Sequence, residues 1–302
     1  MTAETPRRAG RRQTWRRGVP LAVAALAVTA LAGLGLTNER AAHAEDTSEL
    51  DRAQLTPTHP EATGTSFRHL FDGPLDERDW FIADFVYKSD AQRTGWERDH
   101  VTFVDGEMRL KLTPTPKQGQ PNTGAEVSRK GRFHHGRYEV VMRAAPGSGT
   151  VSSLFTHTGA YFGDPHDEVD IEFLGKDLRS VHPNYFTDGK SASIDPVKLP
   201  YDASEVFQLY AFEWDAQEIR WYVGDQLVSV ATQEDHPLPT TPGRLMVNLW
   251  TGSPAQYDWH GRPDFGPEAV SAYKCLSFRV PGDTETPQCS DWFESDLPPV
   301  AP

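Results

Sequence analysis

Between residues 67 and 280 apolar and polar side chains alternate in short runs separated by turn residues. Met108, Leu110 and Leu112 alternate with Arg109 and Lys111, a period of two that sends successive side chains to opposite faces of a strand. Comparable runs cover residues 138–142, 207–214, 219–223, 244–250 and 273–280, bounded by Gly106, Gly136, Pro146-Gly147 and Pro242-Gly243. Gly224-Asp225, between runs at 219–223 and 227–230, predicts a tight hairpin. No segment sustains a helical period, and no internal repeat is present. The pattern predicts an all-β fold, a sandwich or a barrel.

The two ends depart from this pattern. Six arginines between Arg7 and Arg17 precede an apolar stretch from Val19 to Leu36, and Ala42-His43-Ala44 follows. A basic start, an apolar middle and a small-x-small site predict an export signal peptide over 1–44, with an uncleaved signal anchor as the alternative. Residues 45–64 are polar and contain proline, and they are expected to form a linker. Residues 65–282 form the expected single domain, and 283–302 an acidic, proline-rich tail.

Composition narrows the function. Without residues 1–44 the chain keeps 23 basic and 41 acidic residues, a net charge of −18. Such a surface repels phosphate backbones, so no nucleic-acid partner is expected. Nor is a membrane partner expected once the signal is removed. The two cysteines, Cys275 and Cys289, are expected to form a disulfide in an exported protein.

The chemistry concentrates in Asp167-Glu168-Val169-Asp170-Ile171-Glu172-Phe173-Leu174-Gly175. Read as a strand, it places Glu168, Asp170 and Glu172 on one face and Val169, Ile171 and Phe173 on the other. Three carboxylates in one row repel one another. A solvated acidic face and a calcium site both accommodate such a row, although calcium ligands usually come from loops. Glycoside hydrolysis uses it: one carboxylate serves as nucleophile and one protonated carboxyl as general acid, about 5–5.5 Å apart.

The stretch from Glu168 to Asp177 resembles the signature of glycoside hydrolase family 16, and in particular the bacterial lichenases and the succinoglycan-cleaving depolymerases. Gly136-Arg137-Tyr138-Glu139-Val140, Thr150-Val151-Ser152-Ser153, Asn184-Tyr185, residues 210–214, Trp221-Tyr222-Val223 and Asn248-Leu249-Trp250 follow in the family's order. The resemblance implies a β-jelly-roll sandwich of two curved antiparallel sheets with a concave substrate cleft. It assigns Glu168 as nucleophile, Glu172 as general acid/base and Asp170 as their partner, acting with retention of configuration.

The resemblance also places Glu126, Asn184, Asn248 and Trp250 in the cleft, and Trp96 suits a sugar-stacking position. Trp214 and Trp221 are expected in the core, while Trp259 is left open. His166 stands where lichenases carry tryptophan; it either meets the substrate, tunes the carboxylates or forms a turn. Lys274 stands where the family's calcium-ligating aspartate is expected, which argues against calcium, and no cofactor or metal is expected. These residues lead us to expect an exported, monomeric endo-β-glycanase acting on a polysaccharide, first a 1,3-1,4-β-glucan. The alternatives are depolymerisation of a succinoglycan-like exopolysaccharide, transglycosylation by the same carboxylates, and carbohydrate binding without cleavage.

Overall fold

A computed structural model describes residues 61–87 and 91–300. The predicted signal peptide, and the linker up to residue 60, lie outside the described residues.

Two stacked antiparallel sheets make up the fold. The first runs in the order β15 (Gln226–Thr232), β14 (Glu218–Val223), β13 (Gln208–Trp214), β7 (Gly136–Arg143), β17 (Ala269–Arg279), β5 (Glu107–Leu112) and β4 (Val101–Val104), with β1 (Phe67–Leu70) also on β17. The second runs β11 (Lys190–Ser191), β10 (Ser180–Thr187), β9 (Glu168–Leu174), β8 (Val151–His157), β16 (Gly243–Trp250), β6 (Asn122–Phe133) and β2 (Trp80–Ile82). Short strands β12 (Val197–Lys198) and β3 (Thr94–Trp96) join β10 and β6, the latter pair being parallel. This is the jelly-roll sandwich that the resemblance implied. Helix among the described residues is limited to Tyr257–His260 and four single 3₁₀ turns.

The alternating runs became strands because each could bury one row. Val169, Ile171 and Phe173 of β9 meet Tyr210, Phe212 and Trp221 of the first sheet in one apolar core. Phe173 and Tyr210 pack edge to face at 4.7 Å, and Tyr138 stacks on Phe212 at 4.5 Å. Gly224 takes φ 56° in the two-residue loop between β14 and β15, the left-handed conformation that such a hairpin demands.

Two core side chains also reach polar groups of the opposite sheet. Trp221 Nε1 donates to the Asp170 carbonyl at 2.9 Å. Tyr273 Oη donates to the carbonyls of Ser153 and Asn248 at 3.3 and 3.2 Å. The backbones of β9, β8 and β16 are thereby held from beneath.

The outer face of the first sheet is covered by the C-terminal segment. Cys275 and Cys289 form the expected disulfide, with Cα atoms 5.8 Å apart. Val141, Leu209, Cys275 and Cys289 make a second small apolar cluster, against which Leu70, Phe207 and Phe293 pack. Beside it, the backbone N–H and hydroxyl of Ser290 both bond the buried Glu139 carboxylate at 2.9 Å. Lys274 lies over the Phe207 ring at 4.3 Å.

Candidate active site

The register of the second sheet arranges its outward side chains in rows across five strands. One row reads His182, Glu172, Ser153, Asn248 and Glu126. The next reads Asn184, Asp170, Phe155, Met246 and Ser128, and a third reads Phe186, Glu168, His157 and Arg244. Thus five of the predicted residues, Glu126, Glu168, Asp170, Glu172 and Asn248, share one surface with Asn184 at its edge. The core-facing residues of β9 lie on the opposite side, as the alternation required.

The entry to β9 is fixed by Asp167, whose carboxylate accepts from the backbone N–H groups of Asp188, Thr240 and Thr241 at 2.9–3.0 Å. Its exit is fixed by close approach. A Cβ on Gly175 would lie 2.1 Å from the Gly147 carbonyl oxygen and from Thr150 Oγ1, so no larger residue fits. Between these anchors the strand holds its three carboxyl groups at set heights.

Their proton states differ because their neighbours differ. Burial alone would raise the Glu168 pKa, but its Oε2 lies 2.6 Å from His166 Nε2, and the charges of His157 and His166 add to that bond. The net effect lowers Glu168 below the usual glutamate range. His166 is raised in turn: the bond to Glu168 and the charges of Glu168 and Asp167 outweigh its own burial. Among the described residues Glu172 has no such partner. Burial and the charge of Glu168 push it up to about 8.

Asp170 is 1% exposed, and burial, then the charges of Glu168 and Glu172, drive it well above its usual range. No donor among the described residues meets either of its oxygens. A proton on Asp170 resolves this, because the neutral carboxyl can donate to Glu168 and lower it further.

Around this centre, Ser153 Oγ bonds Asn248 Oδ1, and Asn248 Nδ2 reaches Glu126 Oε2 at 3.5 Å. Burial raises Glu126 to about 7 despite that contact, with the Glu168 charge adding to the rise. Asn184 sits beside Asp170, but its amide oxygen accepts from Ser191 Oγ and Ser193 N, both at 3.1 Å. Trp250 is half-buried with Trp259 6.1 Å away, so Trp259, left open by the sequence, lies beside a predicted cleft residue.

Trp96 departs from expectation. It is 2% exposed on the short strand beside β6, and no face is left for a sugar ring. Trp214 and Trp221 are buried, as expected. The sequence reading of His166 left three roles open; its imidazole contacts Glu168 and stacks on Phe186 at 5.1 Å and 14°.

His157, Phe155 and Arg244 were not foreseen. Their signal was the odd-numbered row of β8 and the even-numbered row of β16, legible only once those strands flank β9. His157, His166 and Glu168 bring one nitrogen or oxygen each within 4.8 Å of one another. In this arrangement His166 and Glu168 satisfy each other directly.

Comparison with known proteins places this geometry. Residues 88–266 match the model of Glycosyl hydrolases family 16. The chain is 39% identical over 208 residues to a beta-glucanase of Bacillus subtilis (strain 168), covering 68% of this chain and 83% of that one. It is 41% identical over 191 residues to a beta-glucanase of Brevibacillus brevis, covering 63% and 72%. Among solved structures, a prokaryotic beta-1,3-1,4-glucanase (lichenase) derived from a mouse hindgut metagenome superposes with a TM-score of 0.67. Its identity is 34%, with 72% of this chain and 99% of that chain covered. The sandwich, the carboxylate row on its outward face and these likenesses agree: the chain belongs to glycosyl hydrolases family 16.

Proposed function

We propose that this glycoside hydrolase is an exported endo-β-glucanase that cuts internal bonds of a mixed-linkage 1,3-1,4-β-glucan with retention of configuration. The observation that carries the reading is the contrast between two glutamates on one strand face. Glu168 is held anionic by His166, while Glu172 keeps its proton up to about pH 8. One is prepared to attack, the other to donate.

In the first step a Glu168 oxygen bonds the anomeric carbon as the glycosidic bond breaks, and Glu172 gives its proton to the leaving oxygen. That step removes the negative charge of Glu168, one of the two causes that raise Glu172. Glu172 then falls in pKa, as its second duty requires: it takes a proton from water, whose oxygen displaces Glu168. Neutral Asp170 donates to the Glu168 anion in the resting state. The reaction uses carboxyl groups and water, with no cofactor.

Support for the substrate comes from the beta-glucanase relatives and from the half-buried Trp250 and Trp259 beside Asn248 and Glu126, an aromatic and amide surface suited to sugar rings. Support for export comes from the Arg-rich, apolar and Ala-x-Ala sequence of residues 1–44 and from the Cys275–Cys289 disulfide. We infer a monomer whose tail serves as part of the outer layer of the first sheet.

The test is product profiling by mass and reducing-end release on barley-type mixed-linkage glucan, laminarin, xyloglucan and succinoglycan. Proton NMR of the first-formed product reports its anomer. Short oligosaccharides of the starting anomeric configuration from mixed-linkage glucan support the reading. Inverted products, oligomers longer than the starting chains, or binding without release from any polymer each overturn it.

A further inference from the structure

We propose that the end of the sugar-facing surface beside Glu168 is a subsite for a carboxylate substituent on the polysaccharide, with the Arg244 guanidinium as its recognition group. The inference rests on the β-glucanase reading proposed above, and it names a further substrate class: β-glucans carrying acidic substituents.

Arg244 belongs to the row of Glu168, with His157 between them. Two strand spacings separate the two positions, roughly 10 Å, a short step along a glycan from the bond that is cut. The guanidinium lies over the Phe162 ring at 4.6 Å, half-buried. Among the described residues it has no carboxylate partner and donates no hydrogen bond. A planar cation seated on an aromatic face keeps its edge N–H groups free, the geometry that grips a carboxylate with two parallel bonds.

The neighbouring arginine shows the contrast. Arg132 Nη1 binds Asp164 Oδ2 at 2.6 Å and also reaches the Pro242 carbonyl at 3.3 Å. Thr158 bonds the same Asp164 oxygen at 2.6 Å. The carboxylate of the loop that presents Phe162 is thus committed to Arg132, and Arg244 is left without one. In a chain of 43 acidic against 30 basic residues, such a cation on the reacting face calls for an anion from outside. Tyr161, next to Phe162, is 75% exposed and offers a ring to the sugar that would carry the substituent.

The experiment compares kcat/KM of the full chain on mixed-linkage glucan and on the same glucan lightly carboxymethylated, at low and high salt. The wild type is expected to prefer the carboxymethylated polymer by about tenfold at low salt, a preference that shrinks as salt rises. Arg244→Gln, checked for folding by circular dichroism and thermal melting, is expected to lose the preference, and Arg244→Lys to recover part of it. Equal rates on the two polymers, or a preference that survives in Arg244→Gln, overturn the subsite while leaving the β-glucanase reading intact. Failure to cut either polymer takes down both.

Discussion

Trp221, on the sheet opposite the one that carries Glu168, Asp170 and Glu172, donates its indole N–H to the backbone carbonyl of Asp170 at 2.9 Å. The middle of β9 is thereby tied to the buried core, and the height of Glu168 and Glu172 depends on a residue of the opposite sheet. Trp221→Phe removes the donor and part of the ring while keeping an aromatic in place. Stability is expected to fall by about 1–3 kcal/mol, with kcat reduced more than KM is raised. Denaturant unfolding and steady-state kinetics on soluble β-glucan check this; a lower midpoint with unchanged kcat would show that the strand keeps its position without the indole.

If Glu168 is the nucleophile, as proposed, its replacement is expected to abolish activity almost completely. Glu168→Gln should lower turnover by on the order of 10³–10⁶-fold with the melting profile intact. Glu172→Ala should recover much of its rate on aryl glycosides with good leaving groups when azide is added, because the missing proton is then unnecessary and the small anion fits the space. Chromatography for a glycosyl azide product is the readout, and its absence from folded variant counts against the acid/base role.

The pH profile follows from the two opposed shifts. The proposed mechanism needs Glu168 ionised and Glu172 protonated, so kcat/KM should rise through the lowered pKa of Glu168 and fall near pH 8 with Glu172. His166→Gln removes the cation that holds Glu168 down. The acid limb should then move up while the alkaline limb stays near 8. A profile superposable on the wild type would mean that His166 does not tune the nucleophile.

Glu126 makes a separate prediction about stability. Its folded pKa, about 7, lies above that of an exposed glutamate, so the folded state holds the proton more tightly than the unfolded chain. The stabilisation is present below the unfolded value and is lost as pH rises through 7. Glu126→Gln should therefore melt close to the wild type at pH 5 and above it at pH 8.5, by about 2–4 °C for each kcal/mol relieved. A melting difference that stays constant between those two pH values would contradict the proposed proton.

Strand β9 was legible because one of its faces is apolar and the other ionisable, so period two alone separated Val169, Ile171 and Phe173 from Glu168, Asp170 and Glu172. Its neighbours were harder to read. Strands β6 and β8 are buried on both faces for most of their length, which erases the alternation that marks a half-exposed strand. Which residues stand beside Glu168 and Glu172 depends on register between segments far apart in the chain, and local pattern carries no trace of it. His157 and Arg244 escaped notice for that reason. Trp96 was misjudged because an indole suited to a sugar and an indole suited to an interior have the same composition. Asn184 does stand beside Asp170, but the use of its amide oxygen by Ser191 and Ser193 depends on a turn that the sequence did not announce.

The alternation along β8, β9, β10 and β16 has a consequence for how such an enzyme can diversify. Residues 157, 184, 244 and 250 on these strands, and 166 just before β9, can be exchanged in combination while the odd positions of β9 and their aromatic counterparts across the interior stay as they are. A variant library confined to those five sites therefore explores new polymers with little risk of losing folded protein, and new preferences can accumulate in small steps.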